Sequence, residues 1–382
     1  MDPHPRLPLQ GGLPPLETAG SPVLPVIEIA CDESGFSGSN LLDAATPVFT
    51  HASVDLGLDE AAALVEELRS GFHWPRGEFK SGQLLRGPRA RDVWEPLLAA
   101  LTDRAHVQVV DKEFFLVTRV VDLLLAEPTY AAGTRLSQHL RPAALALYRA
   151  GRRRGADWDA FLTAFVELVR PKRRRQPGRR VVDAFFRARD TLAAGLDDEA
   201  GTVLASLTRT RTRAVLARLD LYDAAIPPPL EPMLPALAET VLFWSGNHRQ
   251  VRVVHDEQSA LTATRLRRLQ RVLAQGRGPA AGWGGPEDPL EEQVSPLAGL
   301  VTVDSRDDPR VQVADILAGI ARRSLDIGPD SLLSPFLSPT SLRDPERRAP
   351  LPAAAPVRQA ADGSPARPGH PARATGPRAS AG

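Results

Sequence analysis

Apolar and polar positions alternate one by one at several places along the chain, and each such place predicts a strand. In residues 26 to 35, VIEIACDESG, Ile27, Ile29 and Cys31 fall on one side while Glu28, Ala30 and Asp32 fall on the other, because side chains of an extended strand alternate between faces. The segment ends on two acids, a hydroxyl and a glycine. Residues 46 to 57, TPVFTHASVDLG, are apolar and β-branched enough for a second strand, antiparallel to the first if the connection is a simple hairpin. AHVQVVDKEFF (105 to 115) predicts a third, with Val107, Val109 and Asp111 on one face and Lys112 on the other. In HRQVRVVHDEQS (248 to 259), Val251, Val253 and His255 alternate with Arg252, Val254 and Asp256, so another acid closes a strand. GLVTVDSRD (299 to 307) predicts a last short one.

Elsewhere the spacing lengthens to that of a helix. Residues 59 to 70 place Ala63, Leu64 and Leu68 together, 94 to 101 predict a short helix, and 261 to 276 one that stops at Gly276. From about 116 to 244 the pattern is helix after helix with arginine-rich connections, which reads as a helical insertion in a sheet fold. Asp308 and Pro309 form an N-cap and first-turn signature for a final helix over 309 to 325. In it Asp315 lies among Ala314, Ala318 and Gly319, small residues that let a helix backbone approach a sheet. An acid on such a face carries a desolvation cost unless it is paired or metal-bound. Residues 1 to 24 and 336 to 382, rich in proline with glycine or with alanine and arginine, are expected to be a disordered leader and tail around one domain at 25 to 335.

With 382 residues, 43% of them apolar, the chain can bury a sizeable core. A formal net charge of +1 means that any attraction to a polyanion must come from local patches. The basic residues are arginines apart from Lys80, Lys112 and Lys172. The block RPKRRRQPGRR (170 to 180) is either a solvated loop or an arm in which Arg173, Arg174 and Arg175 track phosphates. One cysteine, Cys31, excludes an internal disulfide framework. Scattered histidines offer no zinc spacing, and the N-terminus lacks a signal-peptide pattern. These features fit a cytoplasmic protein.

Carboxylates on separate elements do acid–base work as a bare pair or hold hard cations through oxygen. Without a histidine or cysteine cluster, Mg²⁺ or Mn²⁺ is the better match, and two such ions clamp the attacking and leaving oxygens of a phosphoryl displacement. Glycoside hydrolysis also uses paired acids, but sugar clefts lean on aromatic platforms and aromatics make up only 5% of this chain. Glu78 and Lys80, two apart in the polar stretch 77 to 87, share one face of an extended segment and are either a solvated pair or part of the site.

DESG closing the first strand, the E-x-K of Glu78 and Lys80, VVDK, HDEQS, and VQVADILAG in the last helix after an SRDD segment together resemble the domain of unknown function 3800 family. That family is similar to the ribonuclease H-like superfamily of metal-dependent nucleases and nucleotidyl transferases. The resemblance spans roughly residues 25 to 325. It implies an α/β fold, a ribonuclease H-like mixed sheet flanked by helices with a helical insertion. It also implies a Mg²⁺- or Mn²⁺-dependent nuclease acting on DNA or RNA, with Asp32, Glu78, Asp256 and Asp315 as catalytic metal ligands and Asp111 and Glu33 as further members. Lys80 and Lys112 would meet the substrate, joined by the arginines of the basic block. A non-catalytic nucleic-acid- or partner-binding module of the same fold, and a nucleotide phosphohydrolase, are the alternatives.

Overall fold

The computed structural model describes residues 24–35, 38, 40–72, 90–170, 178–196, 198–276, 294–323 and 331–346. Five strands, β1 (Val26–Ser34), β2 (Val48–Val54), β3 (Ala105–Asp111), β4 (Gln250–Asp256) and β5 (Leu297–Val303), form one sheet in the order β3-β2-β1-β4-β5. β2 is antiparallel to both β1 and β3, whereas β1, β4 and β5 run parallel. The carboxyl ends of β1, β3, β4 and β5 therefore gather at one edge. Ligands of open α/β sheets collect at such edges.

One face of the sheet packs against α1 (Leu58–Phe72), α2 (Ala90–Ala100) and the last helix, Pro309–Arg323. Its core joins Ala30, Ala52, Val107 and Val254 to Val311, Ile316, Leu317 and Ile320. The small residues expected to bring this helix close do so, since the Thr50 hydroxyl on β2 donates to the carbonyl of Ala318 at 2.8 Å. Its two ends are tied to β1. Arg310 donates to Glu28 at 2.8 Å and Arg322 to the Ser34 hydroxyl at 2.9 Å. Gly35 sits at φ +86°, where an added Cβ would lie 2.4 Å from the Val48 carbonyl oxygen, so the turn after DES requires glycine.

The other face carries the helical block: α3 (Lys112–Leu124), α4 (Arg141–Arg152), α5 (Ala156–Val169), α6 (Gly178–Ala193), α7 (Glu199–Ser206), α8 (Arg209–Asp220) and α9 (Met233–Ser245). After β4 follows α10 (Ala263–Gln275), and the closing helix is α11. α9 lies directly on the sheet, where the Trp244 indole donates to the Ser53 hydroxyl on β2 at 2.8 Å. Ile29, Cys31, Phe49, Val110, Val251 and Val253 join the block's apolar core. Among the described residues no helix is long and apolar enough to cross a membrane.

Several boundaries differ from expectation, and the last strand ends at Val303 rather than at 307. The third strand ends at Asp111 rather than continuing to 115, because Asp111 accepts the Phe114 N–H at 3.0 Å and caps a helix that starts at Lys112. The helical block consequently begins four residues earlier than 116. The expected tail also begins too early at 336. Leu337 and Leu342 bridge to Val107 and Val110 of β3, and Arg141 donates to the Ser341 carbonyl at 2.7 Å. β3 would otherwise present an open sheet edge, and this strap covers it. Residues 1–23 and 347–382 lie outside the described residues.

Candidate functional site

Register decides which acids meet. Cys31 of β1 pairs with His255 of the parallel strand β4, so Asp32 and Asp256 are the next residues in step on neighbouring strands. Both share the face of Ala30 and Val254, the face covered by α11. Asp315 comes from α11, between the two arginines that tie that helix along β1. Asp32 is only 6% exposed. Burial pushes its carboxyl well above the usual range, and the negative charges of Glu33, Asp315 and Asp256 push in the same direction. The Glu33 N–H, 2.7 Å from Asp32 Oδ1, offsets part of this.

Asp256 is raised as well, chiefly by burial, although it accepts the Ser305 N–H at 3.1 Å. Glu33 points to the opposite face, where Gln258 donates to one of its oxygens at 2.5 Å. Burial pushes Glu33 up to about 7 against that hydrogen bond and the interaction with the Asp32 carboxyl, and the charges of Asp256 and Glu231 add to the rise. Its other oxygen, Oε2, is buried without a hydrogen-bond partner.

Behind this edge, on the helical-block face, two buried histidines cross over β1. His51 Nε2 and His255 Nε2 are 3.2 Å apart, His51 Nδ1 meets the Thr240 hydroxyl at 2.9 Å, and His255 Nδ1 meets the Asp256 carbonyl at 3.0 Å. Burial keeps both rings neutral, lowering His255 to about 4 and His51 well below its usual value. A carbonyl only accepts, so Nδ1 of His255 carries the proton and its Nε2 accepts. The tautomers follow from this network. Thr240 donates to His51, His51 to His255, and His255 to the backbone of Asp256. Every link is satisfied.

The remaining expected residues are placed as follows. The Asp111 carboxylate caps α3 and accepts the Tyr148 hydroxyl at 2.9 Å, at the end of a strand separated from β1 by β2. Its geometry is that of a structural acid rather than a metal ligand. Lys112, expected to meet substrate, is 1% exposed and its Nζ lies 3.3 Å from the Thr46 hydroxyl, so it is corrected to a core residue. Burial first of all lowers its ammonium to about 8. Glu78, Lys80, Arg173, Arg174 and Arg175 lie outside the described residues. His51, Thr240, Gln258 and Glu231 went unassigned on sequence grounds, and only the HDEQ stretch carried a hint of Gln258.

The donor chemistry at Asp32, Asp256 and Asp315 suits a hard cation: hard oxygens that repel one another, one of them on a buried residue. Among the described residues, however, no group of three or more His, Cys, Asp and Glu side chains is drawn together so that it could hold a metal ion as it stands. No family model, curated protein or solved structure matches the chain.

Proposed function

We propose that the chain is a metal-dependent nuclease with a ribonuclease H-like fold, related to the domain of unknown function 3800 family, and that it hydrolyses phosphodiester bonds of nucleic acid. The observation that carries this reading is the burial of Asp32 at the carboxyl end of the central strand with the charges of Asp315 and Asp256 bearing on it. Two of these acids come from adjacent strands and the third from a helix almost sixty residues further on. A merely structural site has no need of such a convergence, since each added acid makes the others harder to ionise.

In this reading Asp32, Asp256 and Asp315 would hold Mg²⁺ or Mn²⁺, with Glu78 as a fourth ligand. When bound, the ion stabilises the charge that builds up on the phosphoryl oxygens. The chain's own residues supply the rest. Asp32 is held in place by the Glu33 N–H. The Ser305 N–H fixes one oxygen of Asp256, and the histidine chain fixes its backbone from behind. Glu33, titrating at about 7, takes or releases a proton at neutral pH.

The test is a cleavage assay on single- and double-stranded DNA, RNA and a hybrid, in chelator and with Mg²⁺ or Mn²⁺ added. Cleavage is expected only with the metal and is expected to fall to background in Asp32→Asn. Tight binding with no cleavage of any strand would replace the nuclease with a binding module, and hydrolysis of free nucleotides alone would make it a phosphohydrolase.

A further inference from the structure

A cavity of about 560 Å³ opens where the ends of α5 and α8, the loop from 221 to 232 and the start of α10 meet. This volume falls within the ~300–1,000 Å³ range of small-ligand sites. Apolar walls, Val169, Leu219 and Ile226 among them, enclose a few polar groups: Tyr130, Glu231, Arg170 and Arg265. Gly38, from the loop that follows the DESG turn, closes one side. Glu231, which lines the cavity, also acts through its charge on Glu33 at the acidic edge of the sheet.

The rim holds the second observation. Tyr222 lines the cavity yet is 66% exposed, and its backbone lies at φ +53°. A bulky residue in the left-handed region is strained, and such strain persists only where the surroundings impose it. Here they do. The Tyr222 N–H donates to the Leu219 carbonyl at 3.1 Å, the next N–H donates to the Arg218 carbonyl at 3.0 Å, and the Arg218 guanidinium holds the Asp223 carboxylate at 2.8 Å. The braced turn presents an aromatic ring to solvent at the mouth of an apolar cavity. Arg265 stands close enough to Tyr130 and Glu231 for its charge to act on both. Flat aromatic surface beside guanidinium groups is the chemistry that takes a base and its phosphate from a single strand.

We propose that this cavity receives one unpaired nucleobase, stacked on Tyr222, with its phosphate on Arg170 and Arg265, so that the chain acts on single-stranded nucleic acid. This assignment rests on the nuclease reading for what happens at the neighbouring acids, but not for binding itself. A base held in a duplex cannot enter without unpairing.

The test uses the full chain in chelator, which separates binding from cleavage. Fluorescence anisotropy compares a labelled single-stranded oligonucleotide with the blunt duplex of the same sequence, for the parent, Tyr222→Ala and Tyr222→Phe. The single strand is expected to bind more tightly than the duplex. Tyr222→Ala is expected to weaken single-strand binding about tenfold, the effect of losing one base–aromatic stack, and Tyr222→Phe to restore it. Equal affinity for strand and duplex, no strand binding, or an unchanged affinity in Tyr222→Ala overturns the proposal. The two readings fail separately. Tyr222-dependent binding without metal-dependent cleavage leaves the cavity and removes the nuclease, whereas cleavage indifferent to Tyr222→Ala leaves the nuclease and removes the cavity.

Discussion

The two faces of the sheet meet the same problem at the same height and solve it in opposite ways. Toward α9, polar side chains are buried as a neutral chain in which Thr240, His51 and His255 each have a partner. Toward α11, Asp32 is buried beside acids of the same sign, and that company makes its ionised form harder to hold. Burial is therefore not what distinguishes them. The Thr240–His51–His255 chain lowers the energy of the fold by completing its hydrogen bonds, whereas the acids around Asp32 raise it unless a proton or a cation is present. Stability given up at one place and secured just behind it is the pattern expected where a fold is built around a reactive site.

The largest effect that bears on this contrast is expected from the histidine side. His51→Ala leaves the Thr240 hydroxyl and His255 Nε2 without their partner and opens a cavity beneath the sheet, a loss of about 2–4 kcal/mol. The shift of the urea midpoint measures it, and a neutral result would mean that the chain of hydrogen bonds is incidental. A smaller effect of the opposite sign is expected from Asp32→Asn. The amide keeps the acceptor for the Glu33 N–H and removes one charge from the crowd, so the metal-free protein should gain about 1 kcal/mol. In the nuclease reading Mg²⁺ or Mn²⁺ is expected to raise the parent's melting temperature by mass action, and this rise should be lost in the variant. If Asp32→Asn is as damaging as His51→Ala, Asp32 is a satisfied core acid and the two faces are alike.

The smallest effect is a pH dependence. Glu33 is raised from 4.5 to about 7, so its contribution is complete below 4.5 and is lost as pH rises through 7. His255 is lowered from 6.5 to about 4, so its contribution is complete above 6.5 and is lost as pH falls toward 4. The two oppose each other between 4.5 and 6.5; above 6.5 Glu33 acts together with Glu231, which burial also raises to about 7. In chelator the parent should lose stability between pH 6.5 and 7.5, and Glu33→Gln should remove at most about 0.7 kcal/mol of that loss, half the limit of ~1.4 kcal/mol per pH unit for one group. An identical slope in the variant would show that Glu33 does not titrate there.

Local patterns carried much of this into view. Alternation in 26 to 35 and 248 to 259 placed Asp32 and Asp256 at strand ends, and the N-cap at Asp308 located the helix bearing Asp315. What stayed hidden depends on topology. His51 and His255 read as ordinary strand positions until β2 and β4 are known to flank β1. Asp111 follows an alternating run just as Asp32 does, yet the chain after it continues as a helix, and one acid followed by Lys-Glu-Phe serves equally as strand end or N-cap. Glu231 sits in a proline-rich stretch with no period to read. The strap at 337 to 342 has composition suited to a loop, and only pairing with β3 gives it a place.

The pairing of β1 with β4 also governs how the molecule comes into being. Between them, residues 35 to 249 supply β2, β3 and the whole helical block, so during synthesis the first three strands are available long before β1 acquires its second neighbour. Chains emerge from the ribosome at ~5–20 residues per second, which leaves β1 open on one side for many seconds. Asp32 is then an exposed acid at the rim of a half-built sheet. Only when β4 slots in and α11 closes over it do the carboxylates become neighbours, so the nascent chain carries no assembled acidic site until almost all of its described residues have been made.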